Sequence, residues 1–214
     1  MTTACLLATA LMGGCATKAP QPYDYTAFKA AHPASLLVLP PLNDSPEVNA
    51  GASMMSQVTA PLAEAGYYVF PVALVDETFK ENGLSQPADI QALSTARLRE
   101  IFGADAGVYL RIKQYGSTYN VVSSQSIVEV EGRIVDLRTG DLLWQGRALA
   151  SSAEGQSSQN SLVGMLVQAV LTQVLNNATD ASYRIAGVAA QRLLNTNPTT
   201  GILPGPRAKP AATP

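Results

Sequence analysis

Two cysteines, one histidine and sixteen carboxylates carry the widest chemical repertoire in this 214-residue chain. Cys5 and Cys15 both lie in the first fifteen residues. The remainder therefore holds no thiol for a disulfide or a thiolate metal site. A nucleophile–base relay needs a histidine held beside its nucleophile by packing. The one histidine, His32, stands before Pro33 near the end of an Ala- and Pro-containing stretch and reads as a solvated linker residue. A single imidazole also falls short of a zinc site, which draws on several His or Cys ligands. The carboxylates are scattered. Glu129 and Glu131 share one strand face, because side chains repeat every two residues, and they read as a solvated face rather than an acid pair. Neither a dinucleotide fingerprint nor a phosphate loop is present in the sequence. The expectation is a chain that is not an enzyme and takes no metal or cofactor.

Cys15 stands apart by its context. It closes the run Ala4-Cys5-Leu6-Leu7-Ala8-Thr9-Ala10-Leu11-Met12-Gly13-Gly14. A short apolar run ending in small residues is the pattern of a secretory signal, and it is shorter than the roughly 20 apolar residues a spanning helix needs. A cysteine at the end of such a run resembles the lipobox of bacterial lipoproteins. The resemblance implies a signal peptide over 1–14 and a lipidated N-terminus at Cys15. Ala16, next in line, resembles an outer-membrane address. One acyl chain anchors only marginally, whereas two or more hold firmly. The expected location is the outer membrane, lipid-anchored, with the domain facing the periplasm.

Charged residues make up only 14% of the chain and the net charge is −2, so no basic face of the kind nucleic acid demands is expected. The hydrophobic fraction of 47% suits a globular core. The length suits one domain. Residues 15–30 read as the lipidated end and its linker, 31–195 as an α/β domain, and 196–214, with five prolines, as a disordered tail.

The elements that must position any site follow from periodicity. Ser35-Leu36-Leu37-Val38-Leu39 before Pro40-Pro41 reads as a fully buried strand. Gly51 to Ala65 reads as a helix with Met55, Val58 and Leu62 on one face and Gly66 as its stop. Tyr67 to Pro71 reads as a second strand. Ser94 is placed to cap a helix from Thr95 to Phe102 that Gly103 ends. Alternation marks strands from Ala106 to Tyr115 and from Val121 to Leu137. Thr139-Gly140 supplies a hairpin turn, and its return strand runs to about Leu149. Residues 162–175 are apolar round most of a helix, and Ala181 to Leu194 is amphipathic. A β-α-β start suits a crossover onto parallel strands, and the later strands suit an antiparallel meander. The expected fold is a single α/β domain: a mixed sheet with packed helices in two or three layers, ending in a helix pair. Two sets of residues are candidates for binding. Tyr67, Tyr68 and Trp144 could line an apolar pocket. Leu162, Met165 and Leu166 could present one side of their helix to a partner.

Leu37-Val38-Leu39-Pro40-Pro41-Leu42-Asn43-Asp44-Ser45, a helix, then Ala65-Gly66-Tyr67-Tyr68-Val69 resembles the opening of a periplasmic α/β domain. Similar openings occur in curli-secretion-channel lipoproteins and in the N-terminal domain of Tol-Pal translocation protein B. Phe102-Gly103-Ala104-Asp105 and Asp136-Leu137-Arg138-Thr139-Gly140-Asp141 fit the same scheme. Taken together, the stretch from Ser35 to Leu194 resembles a family of proteobacterial lipoproteins of unknown function, one that includes a meningococcal surface antigen. The resemblance implies an accessory role in envelope assembly, secretion or transport. The implied partners are the membrane, through the lipid, and other envelope lipoproteins or copies of the chain itself. It brings no catalytic residues. The alternative expectation is a small-ligand-binding lipoprotein of a transport system.

Overall fold

The computed structural model describes residues 23–119, 124–154 and 178–209. Along them run α1 (Thr26–Ala31), β1 (Ser35–Val38), β2 (Leu42–Asn43), α2 (Ala50–Glu64), β3 (Tyr68–Val69) and α3 (Val72–Glu81). Then follow α4 (Pro87–Gln91), α5 (Thr95–Phe102), β4 (Ala106–Tyr119), β5 (Ser124–Asp136), β6 (Leu142–Ser151) and α6 (Ala178–Leu193). The strands form one six-stranded sheet in the order β3-β1-β4-β5-β6, with β2 beside β4. β1, β2, β3 and β4 pair in parallel, and β5 and β6 pair antiparallel. The mixed α/β sheet is the expected one. Of the expected helix pair, α6 is seen, and the partner helix over 162–175 lies outside the described residues.

The layering changes across the sheet. In β1 and the residue that follows it, Leu36 and Val38 point to one face and Leu37 and Leu39 to the other. All four are wholly buried, so this strand has apolar cover on both sides, as its uninterrupted sequence requires. The first face runs under every long strand. It packs Val108, Leu110, Val130, Ile134 and Trp144 against α1, α2 and α6. The second face is covered only near β1 and β4, where Leu37, Leu39 and Tyr109 meet Val75 and Phe79 of α3, Ile90 of α4 and Leu98 of α5. Beyond Val135, at the end of β5, which packs against the same cluster, no described helix covers the second face of β5 and β6. Among the described residues the sheet thus has helices on both faces over its parallel half and on one face over its antiparallel half.

Local chemistry explains the joints. The Ser94 hydroxyl accepts a hydrogen bond from the Arg97 N–H at 3.2 Å, and Gly103 (φ +69°) closes α5 with its N–H on the Arg99 carbonyl. Asp105 ties β1 to β4: its carboxylate accepts from the N–H groups of Ala34 and Ser35 and from the Ser35 hydroxyl. Burial would raise the Asp105 carboxyl, but these donors, aided by Arg138, outweigh it and hold the group below its ordinary value. At the β5–β6 hairpin the Asp136 carboxylate accepts from the N–H and guanidinium of Arg138.

Two expected boundaries are corrected. The linker reading of 15–30 fails from Tyr23 onward: Tyr25 and Phe28 are buried in the main core, and His32 is the left-handed C-cap of α1 (φ 44°) rather than a linker residue. The tail reading of 196–214 fails up to residue 209. Ile202 is wholly buried, and the segment from Thr199 to Arg207 is strapped across the domain. Proline content misleads here, because prolines remove donors without preventing their neighbours' carbonyls from accepting bonds from elsewhere.

Candidate functional site

The strap settles where the predicted aromatic residues act. The Trp144 indole N–H donates to the Thr200 carbonyl at 2.9 Å. The Tyr67 hydroxyl donates to the Leu203 carbonyl, and burial pushes its pKa up, which keeps it a donor. The Tyr25 hydroxyl donates to the Gly201 carbonyl at 2.5 Å. Tyr68 is half-exposed, and the Arg207 guanidinium lies 5.7 Å from its ring centroid. Below, the strap backbone bonds directly to the α2–β3 turn, Gly205 N–H to Ala65 carbonyl at 2.7 Å and Arg207 N–H to Gly66 carbonyl at 3.0 Å. Gly66 is required there: its φ is +93°, and a Cβ on it would sit 2.1 Å from the Ala208 nitrogen. Trp144 itself lies over Gly146, where a Cβ would fall 2.4 Å from the ring. Tyr67, Tyr68 and Trp144 each meet the chain's own C-terminal segment, at Leu203, Arg207 and Thr200, from opposite edges of the sheet. The expected open pocket at these residues is corrected accordingly.

An open recess lies on the other side of the sheet. It is a groove of about 650 Å3, set where the helical layer stops and the bare face of β4, β5 and β6 begins. Gln91 of α4 forms its wall, braced by hydrogen bonds to the carbonyls of Pro40 (2.8 Å) and Leu110 (3.1 Å). Its floor carries Arg111, Glu131, Arg133, Gln145 and Arg147. The register explains the convergence: Arg111 of β4 pairs with Glu131 of β5, which pairs with Arg147 of β6, and Arg133 pairs with Gln145. All five side chains leave the same face because strands alternate.

The charges at the rim are neutralised in a definite pattern. Asp44, on the turn after β2, accepts from Lys113 at 2.6 Å and from Arg111 at 2.8 Å. The Lys113 hydrogen bond, with Arg111 beside it, holds the Asp44 carboxyl below its ordinary value. Lys113 reaches Asp44 because the β4–β5 register shifts between Ile112 and Gln114, a bulge that re-aims one side chain. Glu129, only 5% exposed, is ion-paired to Arg147. Arg133 lies over the Tyr109 ring at 5.6 Å. Neither Arg133 nor Glu131 has an ion-pair partner among the described residues.

These are recognition groups: guanidiniums, primary amides and a free carboxylate. Among the described residues, no group of three or more His, Cys, Asp or Glu is placed to hold a metal ion, and no helix is long and apolar enough to cross a membrane. Cys15, Leu162, Met165 and Leu166 lie outside the described residues. Sequence reasoning placed Glu129 and Glu131 on one face but missed the arginines and glutamines around them. The signal was there in the period-two alternation Arg111…Lys113 and Glu129-Val130-Glu131-Gly132-Arg133. Only strand order could show that the two runs meet.

The chain matches the family described as "Putative lipoprotein GNA1162-like" over residues 23–207. It is 45% identical, over 203 residues and 94% of each chain, to a Neisseria meningitidis serogroup B protein described as "Putative lipoprotein NMB1124/NMB1162". The crystal structure of lipoprotein GNA1162 from Neisseria meningitidis aligns with a TM-score of 0.54 at 47% identity, covering 68% of this chain and 100% of that one. PelC from Paraburkholderia phytofirmans, solved as a dodecamer, aligns with a TM-score of 0.44 at 11% identity over 80% of this chain and 91% of its own. The matched span begins at the first described residue and takes in the C-terminal strap as well as the sheet, so the chain belongs to the GNA1162-like lipoprotein family.

Proposed function

We propose that the chain is a non-enzymatic lipoprotein of the outer membrane, held by acyl chains on Cys15 with its domain facing the periplasm. There it serves as an accessory protein-interaction component of an envelope assembly, secretion or transport system. The observation that carries this reading is the charge-patterned groove on the face of β4, β5 and β6, in a chain of a lipoprotein family. A solvated sheet face needs only scattered polar residues. This one gathers three arginines, two glutamines and a free carboxylate into a walled recess. The eight residue steps from Cys15 to Tyr23 span at most about 29 Å when fully extended, which keeps the domain close to the bilayer and its neighbours.

Metabolic labelling with a palmitate analogue tests the anchor. Label is expected on the native chain and lost in Cys15→Ala, which moves from the membrane fraction to the soluble periplasm. An unacylated polypeptide that retains residues 1–14 in its native host overturns the reading.

A further inference from the structure

We infer that the groove takes a carboxylate-bearing segment of a partner protein, with Arg133 as its anchor and Glu131 as a filter against uniformly anionic surfaces. The inference deepens the protein-interaction reading given above and rests on it.

Arg111 and Arg147 rise from strands on either side of β5, roughly 10 Å apart at two strand spacings. Both already have carboxylates at the rim, Asp44 and Glu129. Arg133 is exposed and its only charged or aromatic contact among the described residues is the Tyr109 ring. That ring supports one side of the guanidinium and leaves its edge, with a fork of N–H donors, open to the groove. A carboxylate is the group that fills such a fork. Gln145, opposite Arg133 in the register, offers a neutral amide to whatever lies alongside.

Glu131 decides the class of occupant. It stands between Arg111 and Arg147 and two residues from Arg133 on the same face. A sheet of anionic headgroups would set negative charge against Glu131 and Glu129 as well as against the arginines. It would also have to enter a recess walled by Gln91. A polypeptide can put its carboxylates over the arginines and its N–H groups over Glu131, and so satisfy both signs. The unfavourable Glu131 contact then supplies discrimination rather than affinity.

Fluorescence anisotropy of a labelled octa-glutamate peptide, titrated with the full chain in detergent, tests the inference. Saturable binding that weakens with added salt is expected. Arg133→Gln should bind about threefold more weakly and Glu131→Gln about twofold more tightly, in keeping with the worth of one exposed charge. Arg97→Gln, on α5 and paired with Glu100, should bind as the native chain does. Arg133 is exposed and Glu131 half-buried, and unchanged thermal melting verifies that the fold is kept in both variants. Absence of saturable binding, a loss in Arg97→Gln equal to that in Arg133→Gln, or shifts of the same sign in the two groove variants overturns the inference. So does displacement of the peptide by glycerol phosphate, the soluble headgroup of an anionic lipid, at matched charge, which would assign the face to the membrane. Failure of acylation at Cys15 would sink the lipoprotein reading alone, because the peptide titration does not depend on the anchor.

Discussion

The parallel and antiparallel halves of the sheet share one core and differ in what covers the other face. β1 is sandwiched, with Leu37 and Leu39 pressed against α3, α4 and α5. Among the described residues, β5 and β6 are backed by helices on one side, and their second face carries Glu131, Arg133, Gln145 and Arg147. The difference is legible in composition. A strand buried on both faces must be apolar throughout, whereas a strand with one bare face can alternate. It follows that substitutions in the first half report on stability, and those on the bare face of the second half are free to report on recognition. The groove lies at the step between the two regimes, where Gln91 of the helical layer overlooks the open strands.

The largest effect expected from this contrast is at Leu37. Leu37→Ala removes a wholly buried side chain from the twice-covered strand and should cost about 2–5 kcal/mol, read as a lower midpoint in urea unfolding. A loss below about 1 kcal/mol would mean that the second helical layer is loosely packed, and would break the distinction between the halves.

A smaller effect is expected at Asp105, the hinge pin between β1 and β4. Asp105→Asn weakens charge-assisted bonds to Ala34 and Ser35 and should cost about 1–2 kcal/mol at neutral pH. Its pH dependence has a definite sign. The folded-state carboxyl is held below its ordinary value, so its stabilisation is fully present above the unfolded pKa of about 3.9. That contribution is lost as pH falls through the lower folded value. Melting temperature followed from pH 7 downward should decline below about pH 4 in the native chain, more shallowly in the variant. Equal slopes would remove Asp105 from the account of acid stability.

The smallest effect belongs to the bare face. Arg133→Ala should change stability by no more than about 0.5 kcal/mol, since Arg133 is exposed and carries no ion pair among the described residues. A larger loss in the same urea assay would show that the arginine serves the fold, and the functional reading of the groove would lose its separation from stability.

Much of the framework was readable from local pattern. The run Leu36 to Leu39, the Ser94 and Gly103 caps, the Thr139-Gly140 hairpin and the alternation of β4 and β5 depend on neighbours within a few residues, and each is present as expected. Three features were not readable. β2 has only two residues, too few for a period. α1 has six, and its burial comes from Phe28 packing into the distant core. The strap gave its hint in the pair Ile202-Leu203 between glycines, but five prolines masked it.

What the amino-acid order determined alone is the identity of each strand and which of its residues share a face, because φ/ψ preferences and side-chain period act within a segment. The tertiary structure decided which segments lie side by side. Tyr67 and Trp144 were expected to line an open pocket, but their polar atoms are taken up by carbonyls 136 and 56 residues away. Arg111, Glu131 and Arg147 become one row only through strand order. Hydrogen-bond and charge partners are chosen by distance in space, and that distance is set by how the whole sheet is assembled.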